Sequence, residues 1–493
     1  MSTKTSKAVS KRIGLVDQTF RDGPQCLWAS RMTTAMMLGT AEKMDRIGFD
    51  YLDVTGAGGN FDVAVRYLKE NPWERLTLLR KHITNTPMMF VVRSKNDVGF
   101  KVVPSDISFL WIERFFAHGI THFRTNDPLQ DLDNIVPMLK YAKEIGCYTV
   151  GALAFGYSPV HTDEMYEQKA RELVQRANVD AIMIKDAGGL LTPDRIRTLV
   201  PAVRRGIGKT RLELHSHCMT GLCPLVYHEA VKLGVDQIHT AIPPLANGAS
   251  QPAMQTMVRN LRGMGYTLDV DLDLADEVGE YYYRVAEQEG KPLGVPTEYD
   301  AFHFEHQIPG GMISNFRSQL AEMKMSNRLD EILHEAARVR GELGWPILIT
   351  PFAQIVGTQA MLNVTTGERY KVIPDELKRY VLGYNGKLLA PVDPNVLDKI
   401  MQNGSGDIAD VAHDPEPGVA GLRKKYPNIS DEERLLRYSY AGSHVDDMLA
   451  TGATKTDYLF HQPIARILEA LAKRPKMARV FIQKKDLLID MRS

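Results

Sequence analysis

From about residue 13 to 265, short apolar runs alternate with longer stretches of helical spacing. Eight runs predict strands: IGLVD (13–17), YLDVT (51–55), MMFVV (88–92), THFRT (121–125), YTVGALA (148–154), AIMIK (181–185), LELHSH (212–217) and QIHTA (237–241). The stretches between them predict helices. TTAMMLGTAEKMDRIGF is one, and LDNIVPMLKYAKEIG is another, ending on Gly146, a residue suited to a helix C-terminus. In LTPDRIRTLVPAVRRGIG, Thr192 is placed to cap and Pro193 to open the first turn. Eight strand–helix units over about 250 residues predict an α/β fold, a (β/α)8 TIM barrel spanning 13–270. A doubly wound sheet is the other arrangement, but no glycine-rich dinucleotide fingerprint follows the first strand.

After about residue 270 the strand signals stop. Helical patterns predict a mostly helical domain over 271–470 that packs on the barrel. NGSGDIADVAHDPEPGVAG (403–421) interrupts it as a loop. IARILEALAK places Ile464, Ile467, Leu468 and Leu471 on one helical face. Within the tail 471–493, VFIQKKDLLID predicts a short strand pair or an extended end. Residues 1–12 are polar and basic and predict a disordered lead-in.

A chain of 493 residues exceeds what one hydrophobic core organises, so two or three domains are expected. Lys+Arg and Asp+Glu both number 60, so no basic excess points to nucleic acid or an anionic membrane. Cys26, Cys147, Cys218 and Cys223 include no C-x-x-C pair and make no disulfide framework, which suits a reducing cytoplasm. No apolar stretch follows the basic N-terminus as in a secretory signal, and none is long enough to span a bilayer.

In such a barrel the chemistry lies where the strands end. Arg21, Asp22 and Gln25 follow the first strand, and Arg124 ends the fourth. Lys185 and Asp186 end the sixth, and His215 and His217 end the seventh. Alternation sends residues two apart to one face, so both imidazoles reach one point. An aspartate with two histidines is a common set of ligands for a divalent metal. The lysine is at odds with that, because an ammonium repels a dication. It fits as the salt partner of a carboxylate, or as a carbamate offering an anionic oxygen.

Longer motifs narrow the field. TFRDGPQCLWASRMTT, NPWERL, YSPVHT, IKDAGGLLTP, LHSH, TAIPPLANGASQP, HQIPGGMISN and ITPFAQIVGTQAMLNVTTGERY occur in that order. Together they resemble the carboxyltransferase family of biotin-dependent enzymes, from about residue 13 to 370 and more weakly to about 450. That family includes the carboxyltransferase domain of pyruvate carboxylase, the alpha subunit of oxaloacetate decarboxylase and the 5S subunit of transcarboxylase. The resemblance implies Asp22, His215 and His217 as metal ligands and Lys185 as the lysine carbamylated to supply a fourth. It implies Gln25 and Arg124, beside Arg21, as substrate-binding residues for a 2-oxo acid. Thr350 is implied as the hydroxyl between biotin and the substrate methyl. The implied cofactors are Zn²⁺, Mn²⁺ or Co²⁺, with biotin supplied by a separate carrier.

The implied chemistry removes a proton next to a carbonyl, stabilises the enolate beside a Lewis acid, and adds CO₂ from carboxybiotin. A guanidinium adds charge-assisted hydrogen bonds. Implied partners are a biotin carboxyl carrier, a biotin carboxylase or membrane decarboxylase, a small 2-oxo acid such as pyruvate or oxaloacetate, and a second copy of the chain. Two other readings stand beside this one. A metal-dependent lyase or condensing enzyme, related to isopropylmalate synthase and hydroxymethylglutaryl-CoA lyase, shares the Arg-Asp and His-x-His elements but needs neither Lys185 nor the Thr350 segment. A non-catalytic scaffold needs none of the four converging residues.

The chain departs from the family's pattern at Pro24, Cys26, Thr55, Asn126, Cys218 and Phe352, most of them expected at the mouth. This bears on substrate choice more than on reaction type. AEMKMS (321–326) imitates a biotin-attachment sequence, but Lys324 lies in a helical pattern with no flanking strand pair, so biotin is not expected on this chain.

Overall fold

Eight short apolar strands pair in parallel and close on themselves. The computed structural model describes residues 11–56, 59–96, 102–409, 411–412, 415–460, 479–484 and 487–492. The strands are β1 Gly14–Asp17, β2 Tyr51–Gly56, β3 Met88–Val91, β4 His122–Asn126, β5 Tyr148–Ala154, β6 Ala181–Asp186, β7 Arg211–Ser216 and β8 Gln237–Thr240. Each pairs with the next, and β8 returns to β1, with Asp17 opposite Thr240. The barrel expected from the sequence is therefore present, with strand ends shifted by a residue at several places.

Both faces of every strand are buried, which explains runs that are apolar throughout. The outward residues Leu15, Leu52, Phe90, Phe123 and Leu214 join one large core with the surrounding helices. Val16, Tyr51, Met89, Val150, Ala152, Ala181 and Met183 form a separate cluster inside the barrel. Period-two alternation puts Asp53, Arg124, Lys185, Glu213, His215 and His239 on that inner side too. A barrel lumen is usually filled by branched apolar side chains, and much of this one is polar. The helices start as their sequences suggest. Thr192 accepts from Arg195 N at 3.1 Å, with Pro193 opening the helix Pro193–Ile207.

A second core gathers Ile308, Phe316, Ile332, Val339, Phe352, Val356, Tyr380 and Ile400. It lies over the barrel's strand-end face. His303 Nε2 meets the carbonyl of Gly188, after β6, at 2.7 Å. Gln307 Nε2 and Arg340 Nη1 both donate to the carbonyl of Tyr157, after β5, at 2.8 and 3.1 Å. Not all of the C-terminal half joins this core. Ala275, Val278 and Tyr282 of the helix Leu272–Glu289 belong to the barrel's outer core, as do Leu435, Leu436, Val445 and Met448.

The segment 404–418 contains no helix among its described residues. The proposed helix through Ile464 and Leu471 lies outside the described residues. Arg479–Lys484 and Leu487–Arg492 pair as an antiparallel hairpin, the strand-pair form of the tail.

Candidate metal centre and active site

The ends of β1 and β7 bring the candidate ligand set together. Asp22 opens the short helix Asp22–Leu27 after β1, His215 lies in β7 and His217 follows it. One ligand atom from each lies within 4.8 Å of the others, and all three side chains are buried. His215 Nε2 is 3.2 Å from Asp22 Oδ2 and 3.1 Å from His217 Nε2. His217 turns its other nitrogen, Nδ1, to the carbonyl of Ala249 at 2.7 Å. That bond fixes the ring and leaves Nε2 for the cluster. Gly189 makes room for the β6 loop here. Its φ is +65°, and a Cβ would lie 2.7 Å from the carbonyl oxygen of His217.

Strand register accounts for the lysine. Lys185 of β6 pairs directly with His215 of β7. Burial, then the Arg124 charge, pushes the Lys185 ammonium down to about 7, although Asp22 opposes this. Asp22 behaves oppositely. Burial raises it, but Arg21, the His215 hydrogen bond and Lys185 outweigh burial and hold it well below the usual range. Burial lowers both His215 and His217. An ionised carboxylate and two neutral imidazoles are what a divalent cation requires.

The donor set therefore fits a metal. The charge balance limits how. Arg21 and Lys185 face Asp22 and Asp53 here, with the Arg124 charge beside them. A dication added beside an ammonium meets repulsion, whereas a carbamate on Lys185 reverses the sign of that side chain.

The predicted substrate residues separate. Arg21 reaches Asp22 and also donates to Asp53 Oδ2 at 2.8 Å. Gln25 is exposed at the rim. Arg124 lies deeper, in β4. Its side chain is 0% exposed, and Nη2 donates to the same Asp53 oxygen at 2.9 Å. A carboxylate two strands away holds this guanidinium inside the lumen. Thr350 is on the overlying unit, half-buried, before the helix Phe352–Thr366, and its Oγ accepts from Gln354 Nε2 at 3.3 Å. Asp186 builds the loop instead of the site, accepting from Leu190 N, Leu191 N and Ser216 Oγ.

The departures also divide. Cys26 Sγ is 3.8 Å from His217 Nδ1, and Cys218 directly follows that ligand, buried. Asn126 and Thr55 end buried strands. Phe352 is not at the mouth; it packs against Tyr380 in the second core. Lys324 lies past the end of the helix Gly310–Glu322, in a turn at φ 57°, not within a helix.

Sequence reasoning missed Gln251. Its amide Nε2 lies 3.3 Å from Asp22 Oδ2, 3.4 Å from His215 Nε2 and 3.1 Å from His217 Nε2. It also passed over the end of β3, where Arg93 stands half-buried. Both lie beyond strand ends, Arg93 after β3 and Gln251 after β8.

A barrel with an Asp–His–His cluster at its strand ends is an architecture of metal-dependent enzymes acting beside carbonyl groups. Family models resolve the class further. Residues 304–450 match a conserved carboxylase domain, and residues 120–280 match an HMGL-like barrel. A pyruvate carboxylase subunit of Methanocaldococcus jannaschii is 42% identical over 433 residues, covering 87% of this chain and 76% of the relative. The 2-oxoglutarate carboxylase large subunit of Hydrogenobacter thermophilus is 37% identical over 471 residues, covering 93% and 71%. The carboxyl transferase domain of Rhizobium etli pyruvate carboxylase has the same fold, with a TM-score of 0.81 at 24% identity, over 90% of this chain and 78% of that one. The chain belongs to the carboxyltransferase family of biotin-dependent enzymes.

The HMGL-like match covers barrel that lyases share, whereas the carboxylase match covers the unit bearing Thr350. The lyase and scaffold readings fall behind on that ground. The archaeal relative is named as one subunit of its carboxylase and the Hydrogenobacter relative as a large subunit, so both names describe parts of multi-subunit enzymes. No helix among the described residues is long and apolar enough to cross a membrane.

Proposed function

We propose that this chain transfers a carboxyl group between carboxybiotin on a separate carrier and a small 2-oxo acid. The observation that carries the reading is the convergence of Asp22, His215 and His217 beside the buried Lys185. Asp22, His215 and His217 would hold a divalent cation of the Zn²⁺, Mn²⁺ or Co²⁺ kind. Lys185, depressed to about 7, is substantially a free amine at neutral pH. The free amine is the form that adds CO₂, so Lys185 carries a carbamate and becomes the fourth ligand. The bound cation supplies Lewis-acid polarisation of the 2-oxo oxygen.

The chain's own residues do the rest. Arg21, already beside Asp22, and Gln25 at the rim hold the acid's oxygens. Arg124 acts behind them, fixing Asp53 and through it Arg21. Thr350 Oγ moves the proton. The C–H bond next to the carbonyl breaks, the N–carboxyl bond of carboxybiotin breaks, and a C–C bond forms to the released CO₂. The proton ends on the biotin nitrogen. The reverse sequence decarboxylates a β-keto acid.

The carrier and a biotin carboxylase, or a membrane decarboxylase, are the partners this reaction requires. The two relatives' names differ in their acid, pyruvate against 2-oxoglutarate. The test supplies apo and metal-loaded protein with biotinylated carrier, ¹⁴C-bicarbonate, carboxylase and each acid in turn. Metal-dependent, carrier-dependent fixation into one of them supports the reading. Fixation without a carrier, or none with either acid by the metal-loaded protein, overturns it.

A further inference from the structure

We propose that His239 and Glu213 form a buried relay that orients His215 and sets how tightly the site holds its cation. This rests on the reading of Asp22, His215 and His217 as metal ligands. Glu213, His215 and His239 all face the barrel lumen by strand alternation, and all are 0% exposed. With His215 Nε2 turned to Asp22, its Nδ1 lies 3.2 Å from His239 Nδ1. The other nitrogen of His239, Nε2, lies 3.4 Å from Glu213 Oε2.

Hydrogen placement follows from donor and acceptor types. A carboxylate only accepts, so His239 Nε2 carries the hydrogen and its Nδ1 is the acceptor. His215 Nδ1–H then donates to it, which leaves His215 Nε2 with the lone pair a metal needs. The Tyr51 hydroxyl donates to Glu213 Oε2 at 2.7 Å, as an accepting carboxylate requires. Gln18 Nε2, 2.9 Å from His239 Nδ1, shares that acceptor with His215. The order is carboxylate, imidazole, imidazole, metal. Each member fixes the tautomer of the next, and the carboxylate end strengthens His215 as a donor.

The two imidazole ligands are thus supported differently. His217 leans on a neutral backbone carbonyl, and His215 on a chain ending in a carboxylate. Val16, Ala181 and Met183 form an apolar part of the lumen. His239 sits instead among the polar side chains of Gln18, Tyr51, Glu213 and His215.

The test titrates metal-free protein with Co²⁺, reading its absorption bands and its affinity against a chromophoric chelator. His239→Leu, which has no acceptor, is expected to bind Co²⁺ about 10–100-fold more weakly. Glu213→Gln should weaken binding in the same direction and by less. The double variant should bind no more weakly than His239→Leu, because Glu213 acts only through His239. His239→Asn restores an acceptor and should recover most of the affinity. If His239→Leu fails to fold, Glu213→Gln and His239→Asn carry the comparison with wild type. Wild-type affinity in Glu213→Gln and His239→Leu overturns the relay. So do additive losses, or His239→Asn as weak as His239→Leu. His217→Ala separates the two readings. It should lose Co²⁺ uptake; if it binds as wild type does, the metal site itself is misplaced and the relay falls with it.

Discussion

Asp53 accepts a hydrogen bond from Arg124 at 2.9 Å with neither side chain exposed to solvent. The same oxygen accepts from Arg21 at 2.8 Å. One lumen carboxylate therefore balances two guanidinium groups, one of which reaches Asp22 of the candidate metal cluster. Removing it leaves two buried cations without their counter-charge, which costs far more than an exposed pair would. Asp53→Ala is expected to lose roughly 3–5 kcal/mol of stability. Denaturant unfolding measures this, and a loss under about 1 kcal/mol would mean that water enters the lumen and screens the pair.

Lys185→Arg keeps a cation and cannot form a carbamate. Wild-type protein in ¹³C-bicarbonate should show a carbamate carbon resonance that the variant lacks. The variant should also bind its metal at least about 10-fold more weakly, the scale for losing a group that supports a metal site. A resonance that persists in Lys185→Arg assigns the carbamate to another amine. Unchanged metal affinity removes Lys185 from the ligand set.

The barrel was legible because its strands are buried on both faces and read as nearly unbroken apolar runs. The cluster of Asp22, His215 and His217 was legible because metal donors are chemically distinctive and strand ends are few. The partner that holds Arg124 was not legible. Asp53 is two strands away and 71 residues earlier, and one sequence holds no sign of that pairing. Glu213 and His239 were not legible because they point into the lumen from within β7 and β8, and Gln251 because it lies far along the loop after β8. The spacing around Lys324 stays helical on both sides, yet the chain breaks there at positive φ, a conformation spacing does not report.

That turn raises the biotin question again. Lys324 is exposed and flanked by methionines, but no strand pair flanks it among the described residues. Incubation with biotin ligase, ATP and biotin should leave the chain undetected by streptavidin while a carrier protein in the same tube is labelled. A biotinylated peptide containing Lys324 would put the acceptor on this chain and remove the need for a separate one.

His161 predicts part of the acid response. Burial, then the charges of Arg340 and Arg195, lowers its pKa from 6.5 to about 3. The folded chain thus refuses a proton that the unfolded chain takes up. Its contribution is complete above about pH 6.5 and is lost as pH falls toward 3, by about 1.4 kcal/mol per unit. Between pH 7.5 and 5, wild-type protein should therefore lose about 2 kcal/mol more stability than His161→Gln, which has no proton to take up. Parallel stability curves for the two proteins would show that His161 is solvated in the folded state.

Thr350 separates carboxyl transfer from metal binding. It lies on the unit above the barrel, not among the ligands, and its hydroxyl accepts from Gln354. Its proposed part is to pass a proton between substrate and biotin. Thr350→Ala should keep the fold and bind metal as wild type does. It should lose transfer by about 10²-fold or more, the scale for removing a positioned proton-transfer group. Thr350→Ser keeps the hydroxyl and should retain part of the rate. Metal-dependent exchange of the substrate's methyl protons tests the order of events, because it needs no biotin to accept carbon. If the hydroxyl carries the proton, Thr350→Ala slows this exchange together with transfer. A variant that transfers carboxyl groups at the wild-type rate would leave the proton with another group, and the half-buried hydroxyl would then serve only to hold Gln354.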